Sequence, residues 1–324
     1  MGSGGFSVDA RGVNTRTVLV TGAAGFIGRH LCATLLARGD SVLGVDNFSA
    51  SAREGLPAHP KFTLDDADVA DEAQCLRLCR NVRAIVHLAA FSSVPRSLAD
   101  PAQAQRDTEQ STLSLLRAAS DRLVARFVLA SSSSVYGDTK ELPVREDATP
   151  APKSPYAQAK LASEVHLRQA APKVDGVALR FFNLYGPGQR ADSAYAAAVP
   201  IFAARILRGE PITIYGDGNQ TRDFLYVSDA VDAILRALDA RRAIAGAPVN
   251  IASGQAATIN ALIGLISSAA GKAPKVRHEP ERRGDIRASH ADIARARQWL
   301  AFEPRVALAD GVARTVEWLR RFHV

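Results

Sequence analysis

The sequence predicts an α/β fold in which a doubly wound parallel sheet is joined by a smaller C-terminal α/β lobe packed on it. Through about the first 180 residues, short β-branched or apolar runs alternate with helix-like stretches, which is typical of parallel sheets covered by helices. After about residue 185 this alternation ends, and glycine-rich loops at 186–188 and 216–218 surround one helical stretch. The change of pattern predicts the second lobe.

Individual elements follow from the apolar runs and their spacing. The predicted strands are 16–20, 41–45, 84–88, 127–130, 177–180 and 249–252. The predicted helices are 26–38, 195–208, 260–270, 292–300 and 310–321. We therefore expect a sheet-bearing lobe of residues 15–182 and 228–256, and a second lobe of residues 183–227 and 257–324.

Composition argues against several classes of protein. The chain has 324 residues, of which 47% are hydrophobic and 23% charged, as in ordinary soluble enzymes. No run approaches the roughly 18 apolar residues that a membrane span needs, so we expect no membrane association. The first residues lack the basic start and apolar core of a signal peptide, and a cytoplasmic location is expected.

Neither the charge nor the cysteines indicate a special partner. The formal charge is +7, but the arginines are dispersed and no aromatic-interleaved basic stripe occurs, so we expect no nucleic-acid partner. The three cysteines are Cys32, Cys75 and Cys79, and the Cys-x3-Cys pair has no second ligand pair nearby. Buried thiols and no metal site are expected.

A glycine motif follows the first predicted strand. Gly22, Gly25 and Gly28 are spaced Gly-x2-Gly-x2-Gly before a helix that begins with Phe26 and Ile27. Such glycines let the backbone approach a pyrophosphate at the helix N-terminus, where unpaired N–H groups and the helix dipole favour negative charge. The motif predicts a dinucleotide site on a Rossmann sheet, and a plain glycine turn is the alternative.

Acidic residues near the next strands indicate which dinucleotide is bound. Asp46 ends the second predicted strand, 18 residues past Gly28, with Asn47 beside it. A carboxylate there accepts both ribose hydroxyls and repels a 2′-phosphate, which favours NAD over NADP. Asp68, before Val69, suits an adenine amino group. A solvated turn aspartate and a surface acid are the respective alternatives.

Three features together predict a proton-transfer site. Tyr156 and Lys160 lie four residues apart, which puts phenol and ammonium on one face of a helix. A nearby cation lowers a tyrosine pKa, so the phenol can act as a base near neutral pH. The serine run 131–134 follows an apolar strand, at the sheet edge where such folds bind ligands. An ordinary serine-rich turn is the alternative.

With these motifs in order, the sequence resembles the extended short-chain dehydrogenase/reductase superfamily and, within it, the UDP-hexose 4-epimerases, including those of UDP-N-acetylglucosamine. The resemblance covers about residues 17–304. Further matching stretches are 87–90, 180–183, 215–218, 220–224 and 282–285. It implies an NAD-binding first lobe, a UDP-sugar-binding second lobe, and a homodimer formed through helices around 103–119 and 156–170.

The resemblance implies a role for each matching position. Ser132, Tyr156 and Lys160 are the implied catalytic residues, with Ser131 and Ser133 open as alternatives to the serine. The implied cofactor contacts are Gly22, Gly25, Phe26, Ile27, Gly28, Asp46, Asn47, Asp68, Val69, Leu88, Ala89, Ala90, Tyr156 and Lys160. The implied substrate contacts are Ser133, Ser134, Asn183, Val199, Tyr215, Arg222, Arg282, Asp285 and Ser289.

Among these contacts, Tyr215 is implied to stack on uracil, and an asparagine and two arginines to hold the diphosphate. Those three residues are Asn183, Arg222 and Arg282, with Asp285 as a ribose or arginine partner. The chain departs from the family at two positions. Thr108 replaces an asparagine of the family's Asn-x2-Gly-Thr, which puts the nicotinamide pocket in doubt, and Arg283 replaces a proline.

The implied reaction is C4 epimerisation of a UDP-hexose through a 4-keto intermediate. A nucleotide-sugar dehydratase is disfavoured because resembling dehydratases have Asp-Glu where this chain has Ser133-Ser134. A UDP-glucuronate 4-epimerase stays open, and a non-catalytic NAD-binding regulator is a further alternative. Ser289 lies at a position where resembling enzymes restricted to UDP-glucose have tyrosine, so its small side chain favours N-acetylated sugars; capping of the next helix is its alternative role.

Overall fold

The computed structural model describes residues 17–139, 141–191, 197–281 and 286–322. Its strands are β1 (Thr17–Thr21), β2 (Ser41–Asp46), β3 (Phe62–Asp66), β4 (Ala84–His87), β5 (Arg126–Ser132), β6 (Asp175–Phe181), β7 (Leu184–Tyr185), β8 (Pro211–Tyr215), β9 (Thr221–Asp223), β10 (Leu225–Tyr226), β11 (Pro248–Ile251), β12 (Ala256–Thr258) and β13 (Lys275–Glu279). Its α-helices are α1 (Phe26–Ala37), α2 (Glu72–Leu78), α3 (Val94–Ala99), α4 (Pro101–Gln105), α5 (Ser111–Asp121), α6 (Pro155–Ala170), α7 (Ala198–Arg208), α8 (Val227–Asp239), α9 (Ile259–Ala270), α10 (Ala294–Leu300) and α11 (Leu308–Phe322).

Seven of these strands form one parallel sheet in the order β11-β6-β5-β4-β1-β2-β3. Every residue of β4 is buried, as expected for a parallel strand with helices on both faces of its sheet. The strand order reverses between β1 and β4, and open α/β sheets bind ligands beyond the carboxyl ends of the strands at such a point. The predicted fold class is confirmed.

The described residues form two compact units. The first comprises those of Met1–Val135, Pro152–Arg180 and Ile234–Val249, and the second those of Tyr136–Ala151, Phe181–Ala233 and Asn250–Val324. These boundaries differ from the expected lobes chiefly at Tyr136–Ala151, which was expected to belong with the sheet. This segment belongs to the second unit because Tyr136 Oη donates to Asn250 Oδ1 at 2.6 Å and Val144 N donates to His290 O at 2.8 Å.

Three two-stranded sheets occur in the second unit, where β7 pairs with β10, β8 with β13, and β9 with β12. Buried Asp223, at the end of β9, forms hydrogen bonds with two loops of the second unit. Its carboxylate accepts from Ser253 N at 2.8 Å, Gly254 N at 3.1 Å and Ala291 N at 3.3 Å. Burial raises the pKa of Asp223, while the hydrogen bonds from Ser253 and Ala291 lower it. One carboxylate thus holds the loop after β11 and the segment before α10.

Structure and prediction differ at one strand and at the starts of two helices. β3 was not predicted, because its residues are exposed or only half buried. The helix predicted at 195–208 begins at Ala198, and residues 192–196 lie outside the described ones. The helix predicted at 292–300 begins at Ala294, since Asp292 Oδ1 accepts the Ala294 N–H at 2.7 Å. In the described ranges, no helix is long and apolar enough to cross a membrane.

Two helical glycines of the second unit give opposite expectations for stability. A Cβ on Gly311 in α11 would lie 2.2 Å from Tyr185 Oη and 2.8 Å from Tyr226 Cδ2, whereas a Cβ on Gly264 in α9 meets nothing within 4 Å. We expect Gly311→Ala to lower the free energy of unfolding by about 1–3 kcal/mol through overpacking. Gly264→Ala should raise it by up to about 1 kcal/mol through helix propensity. Denaturant titration of both variants measures the difference, and equal effects would contradict the packing described.

Candidate active site

In the turn between β1 and α1, the backbone lies so close to neighbouring backbone atoms that side chains would not fit. Gly22 has φ +66°, and a Cβ there would lie 2.8 Å from a backbone nitrogen of the loop after β4. A Cβ on Gly28 would lie 2.1 Å from Gly22 O, so α1 packs directly on the turn. Gly25 precedes α1 without a side-chain cap, and Phe26 and Ile27 open the helix. The first N–H groups of α1 can therefore bind an anion.

Asp46 ends β2 beside this turn and is buried. Its carboxylate accepts from Ala24 N at 2.9 Å, from Phe48 N at 2.9 Å and from Ser51 Oγ at 2.7 Å. These three bonds fix the carboxylate between the glycine turn and the loop after β2. Asn47 is exposed and accepts the N–H two residues further on at 3.1 Å.

Asp68 and Val69 follow β3. Val69 is buried, and Asp68 is half buried. The Asp68 carboxylate accepts from Ala70 N at 2.9 Å and forms an ion pair with Arg106. The ion pair with Arg106 agrees with the alternative that Asp68 is a surface acid. An adenine amino group bound here would share the Asp68 carboxylate with the arginine.

The loop after β4 contains the cofactor positions Leu88, Ala89 and Ala90, all half buried. Thr21, the last residue of β1, holds this loop, because Thr21 O accepts from Leu88 N and Thr21 Oγ1 from Ala89 N, each at 3.2 Å. Thr21 Oγ1 also lies 2.7 Å from His87 Nδ1. Burial, with the nearby Lys160 charge, lowers the pKa of His87 to about 3, so the imidazole is neutral. Neither Thr21 nor a role for His87 was predicted from the sequence.

Helix α6 carries Tyr156 and Lys160. It begins where Ser154 Oγ accepts a helix N–H at 3.2 Å and Pro155 takes the first helical position. Lys160 is buried, and its Nζ donates to Ala130 O of β5 at 2.6 Å. The ammonium lies 5.9 Å from the centre of the Tyr156 ring. The predicted phenol–ammonium pair therefore shares one helical face at the end of β5.

The geometry favours Ser132 among the three candidate serines. Ser132 hydrogen-bonds Tyr156, and its Oγ accepts from Ser134 N at 3.2 Å and Ser134 Oγ at 2.9 Å. Ser131 points to the other face of the strand end, where its Oγ donates to Glu164 Oε1 at 2.5 Å. Ser133 begins the 3₁₀ turn that follows. Ser132 is thus the serine of this run whose hydroxyl reaches the phenol.

The pKa values of this group reflect its burial. Desolvation raises the pKa of the Tyr156 phenol, and the hydrogen bond to Ser132 lowers it. Desolvation also lowers the pKa of Lys160 to about 8, and the charge of Glu164 raises it. The ammonium is therefore charged below about pH 8. The net direction for the Tyr156 pKa is upward, because desolvation outweighs the hydrogen bond, so the lowered phenol pKa expected from the sequence is not observed. A charged ammonium beside the ring opposes this rise, because it favours the phenolate.

Thr108, which replaces the family's asparagine, lies in a π-helical turn (Arg106–Gln110) between α4 and α5. Its Oγ1 accepts from Phe91 N at 3.1 Å. Its carbonyl oxygen accepts from Thr112 Oγ1 at 2.7 Å and from Ser163 Oγ of α6 at 3.2 Å. Thr108 therefore supports the loop after β4 and the middle of α6, a supporting role that the sequence did not indicate.

Three of the expected substrate contacts lie on or beside β9 in the second unit. Arg222 lies in β9, and its Nη1 donates to Thr221 O at 2.9 Å. Asn183 Nδ2 donates to Asp223 O at 3.0 Å. Ser289 N donates to Thr221 O at 3.1 Å. Arg222 therefore lies on this short strand, and Asn183 and Ser289 are hydrogen-bonded to its backbone.

Other expected contacts have separate positions. Tyr215 ends β8, where its carbonyl oxygen accepts from Gln220 Nε2 at 2.9 Å, and Val199 is buried in α7. Arg282 and Asp285 lie outside the described residues. Ser289 does not cap α10, since Asp292 takes the first helical N–H, so the capping alternative is not supported.

The chain is similar to known proteins over nearly its whole length. Residues 18–252 match the NAD dependent epimerase/dehydratase family. A UDP-glucose 4-epimerase of Mycolicibacterium smegmatis is 39% identical over 93% of this chain and 98% of its own. A UDP-N-acetylglucosamine 4-epimerase structure from Methanobrevibacter ruminantium has a TM-score of 0.90 at 34% identity, covering 95% of this chain and 99% of that one. A UDP-glucuronic acid 4-epimerase structure from Bacillus cereus has a TM-score of 0.88 at 31% identity, covering 95% and 100%.

The residues of the first unit fit the NAD that the Bacillus cereus structure contains. The glycine turn leaves no room for side chains at Gly22 and Gly28, so a pyrophosphate can approach the backbone. Asp46, at the end of β2, fits a ribose with two free hydroxyls. The cofactor predicted from the sequence is confirmed as NAD.

Asp46 gives a test of cofactor retention with a matched control. Its pairing partner in the neighbouring strand is Asp66, which is exposed and forms an ion pair with Arg53. We expect the purified protein to carry NAD and to need none added. Asp46→Ala should lose most of the bound NAD, whereas Asp66→Ala should retain it. Nucleotide released by denaturation measures the stoichiometry, and equal retention in both variants would contradict the role of Asp46.

Proposed function

This chain belongs to the NAD-dependent epimerase/dehydratase family, and on that premise we propose that it is a UDP-sugar 4-epimerase acting chiefly on UDP-GlcNAc and UDP-GalNAc. The observation that carries the proposal is the hydrogen bond between Ser132 and Tyr156, with buried Lys160 beside them. The similarity to 4-epimerases of three UDP-sugars supports the reaction but leaves the sugar open.

In the proposed mechanism, the Tyr156 phenolate takes the proton of the sugar C4 hydroxyl, while Ser132 Oγ holds the same hydroxyl. The Lys160 ammonium favours the phenolate electrostatically. After the 4-keto sugar has turned over, the phenol returns the proton to the C4 oxygen. NAD held at the glycine turn would supply the redox chemistry, namely a hydride acceptor for C4 of the sugar and, once reduced, a hydride donor to the opposite face.

The nucleotide is proposed to bind to the second unit. Arg222 and Arg282 provide planar guanidinium groups for the diphosphate, with the Asn183 amide beside Arg222. Tyr215 provides a ring for stacking on uracil, and Asp285 a partner for ribose or arginine. Tight binding of UDP keeps the 4-keto sugar from dissociating while it turns over.

Two alternative reactions differ in the groups that they need. A dehydratase eliminates water and needs an acid and a base, whereas Ser133 and Ser134 supply hydroxyls, and Ser134 is bonded to Ser132. A glucuronate 4-epimerase is the second candidate, favoured by the similarity to the Bacillus cereus enzyme. Incubation with UDP-GlcNAc, UDP-glucose and UDP-glucuronate, followed by resolution of the products, distinguishes these reactions.

Removal of the phenol tests the base. Tyr156→Phe should lower kcat by about 10²–10⁴-fold, because a general base typically contributes that much. Binding of UDP should stay near the wild-type value, because the ring and α6 are unchanged. Initial rates and UDP calorimetry on the same sample separate the two effects. A variant with near wild-type kcat would overturn the assignment of Tyr156.

The choice of sugar rests on Ser289. This side chain is half buried, and the residue is fixed through its own N–H to Thr221 O at 3.1 Å. A serine leaves open the volume that a tyrosine ring would fill, so a planar N-acetyl group fits without overpacking. We therefore propose the N-acetylhexosamine pair as the main substrates, with the non-acetylated pair as poorer or comparable ones.

Ser289→Tyr should remove activity on UDP-GlcNAc while sparing UDP-glucose, because the ring takes the space of the acetamido group. Ser289→Ala is the matched control, since it removes the hydroxyl without adding volume, and it should keep both activities. The ratio of kcat/KM for the two sugars is the measurement. Equal losses on both sugars in Ser289→Tyr would show that residue 289 is structural and does not select the sugar.

The assembly and location expected from the sequence stay predictions. A homodimer is proposed through the helices around 103–119 and 156–170. The exposed apolar side chain of Val165 in α6 supports an interface at this helix.

A further inference from the structure

A buried carboxylate lies one helical turn beyond the lysine. Glu164 of α6 is 1% exposed. Its two oxygens accept from Arg180 Nε at 2.9 Å and Arg180 Nη2 at 2.7 Å, which makes a bidentate ion pair with β6. Arg180 is itself 2% exposed. Both charges are therefore shielded from water, and electrostatic interactions between such buried groups are only weakly screened.

Glu164 also reaches the end of β5. Glu164 Oε1 accepts from Ser131 Oγ at 2.5 Å. Because successive side chains of a strand point to opposite faces, fixing Ser131 toward α6 directs Ser132 to the other face. On that face Ser132 bonds Tyr156. The carboxylate thus constrains the orientation of the catalytic hydroxyl through its neighbour.

The same carboxylate faces the ammonium of Lys160. Tyr156, Lys160 and Glu164 follow one another at intervals of four residues, so they share one face of α6. Of the described residues, His87 of β4 also interacts with the Lys160 charge and is neutral, and Arg180 is the cation that pairs with Glu164. Several charged groups on other elements that pack on α6 have their own partners: Arg96 with Phe91, Asp107 with Arg106, Glu109 with His166, Arg117 with Glu72 and Arg126 with Asp175.

We propose that Glu164 is a positioning residue of the epimerase, which holds the end of β5 through Ser131 and presents its negative charge to Lys160 beside Tyr156. The proposal rests on the proposed function, since it concerns the same proton transfer. It gives the buried pair a role other than stability: isolated buried ion pairs are often replaceable by apolar residues without loss of stability.

The charge effect has a definite sign. The pKa of Lys160 is lowered to about 8 by burial and raised by Glu164. Glu164→Gln removes the negative charge that raises the pKa of Lys160 and that faces Arg180, so we expect the pKa of Lys160 to fall further. The ammonium is then deprotonated at a lower pH. The fall of kcat at alkaline pH, which is the alkaline limb of its pH profile, therefore shifts to lower pH. We expect a shift of about one pH unit or more, as for other close charge partners.

Two measurements report the protonation state of Lys160. The first is the pH profile of kcat for Glu164→Gln. The second needs no turnover: the ¹³Cε shift of selectively labelled lysine is titrated in the purified holoenzyme, with the Lys160 signal assigned by its loss in Lys160→Met. Both should move to lower pH together. Glu164→Asp keeps the charge and should keep both values near wild type.

Controls separate charge from structure. Glu146→Gln neutralises a second buried carboxylate that also pairs with an arginine, and it should leave the limb in place. Ser131→Ala removes the strand bond without changing charge, so it should lower kcat with the limb unmoved. Glu164→Gln combined with Arg180→Met removes both charges. This double variant should be more stable than Glu164→Gln. The alkaline limb of its kcat profile should lie between the limbs of Glu164→Gln and of the wild type.

The result that would overturn the proposal is a wild-type limb and lysine titration in Glu164→Gln or, if that variant does not fold, in the double variant. Equal shifts in Glu146→Gln would also overturn it, because the effect would then belong to any buried carboxylate. Failure of the proposed function has a different signature, namely a Tyr156→Phe variant that retains activity. An inactive Tyr156→Phe with an unmoved limb in Glu164→Gln refutes this inference alone.

Discussion

The packing of one face of α6 against the end of β5 is the constraint on which the rest of the first unit's chemistry depends. Lys160 reaches the Ala130 carbonyl, Glu164 takes the Ser131 hydroxyl, and Tyr156 meets Ser132. These three contacts set the register between helix and strand at consecutive strand residues. A slip of one residue would turn Ser132 away from the phenol, because side chains alternate along a strand.

The two units have different tasks in the proposed reaction. The first fixes the redox cofactor and the proton-transfer group to a rigid parallel sheet. The second holds two of its implied nucleotide contacts, Asn183 and Arg222, at a short strand, β9, whose last residue, Asp223, also bonds the loop after β11 and the segment before α10. A buried carboxylate thus organises each unit, Glu164 in one and Asp223 in the other, and each is satisfied by several donors as buried charge requires.

Much of the fold and of the candidate site was predictable from the sequence, because the signals lie within short stretches of the chain. The glycine spacing, Asp46 and the Tyr-x3-Lys pair are each readable within a few residues, and the fold class follows from alternating runs. Glu164 was equally visible at the next helical turn, but its role depends on Arg180 and Ser131, which are close to it only in three dimensions. The choice of Ser132 over Ser131 also needed the fold. β3 was missed because it lacks a buried apolar run.

The proposed mechanism requires that the sugar is oxidised and re-reduced at C4 within one binding event. The most direct test supplies the accepted UDP-sugar with deuterium at C4, in ordinary water, and analyses the epimer formed after partial conversion. We expect the deuterium at C4 of the product, because the hydrogen removed from the sugar is the one returned. Replacement of the C4 label by solvent hydrogen would contradict the mechanism, since it would indicate deprotonation at carbon or exchange of the intermediate.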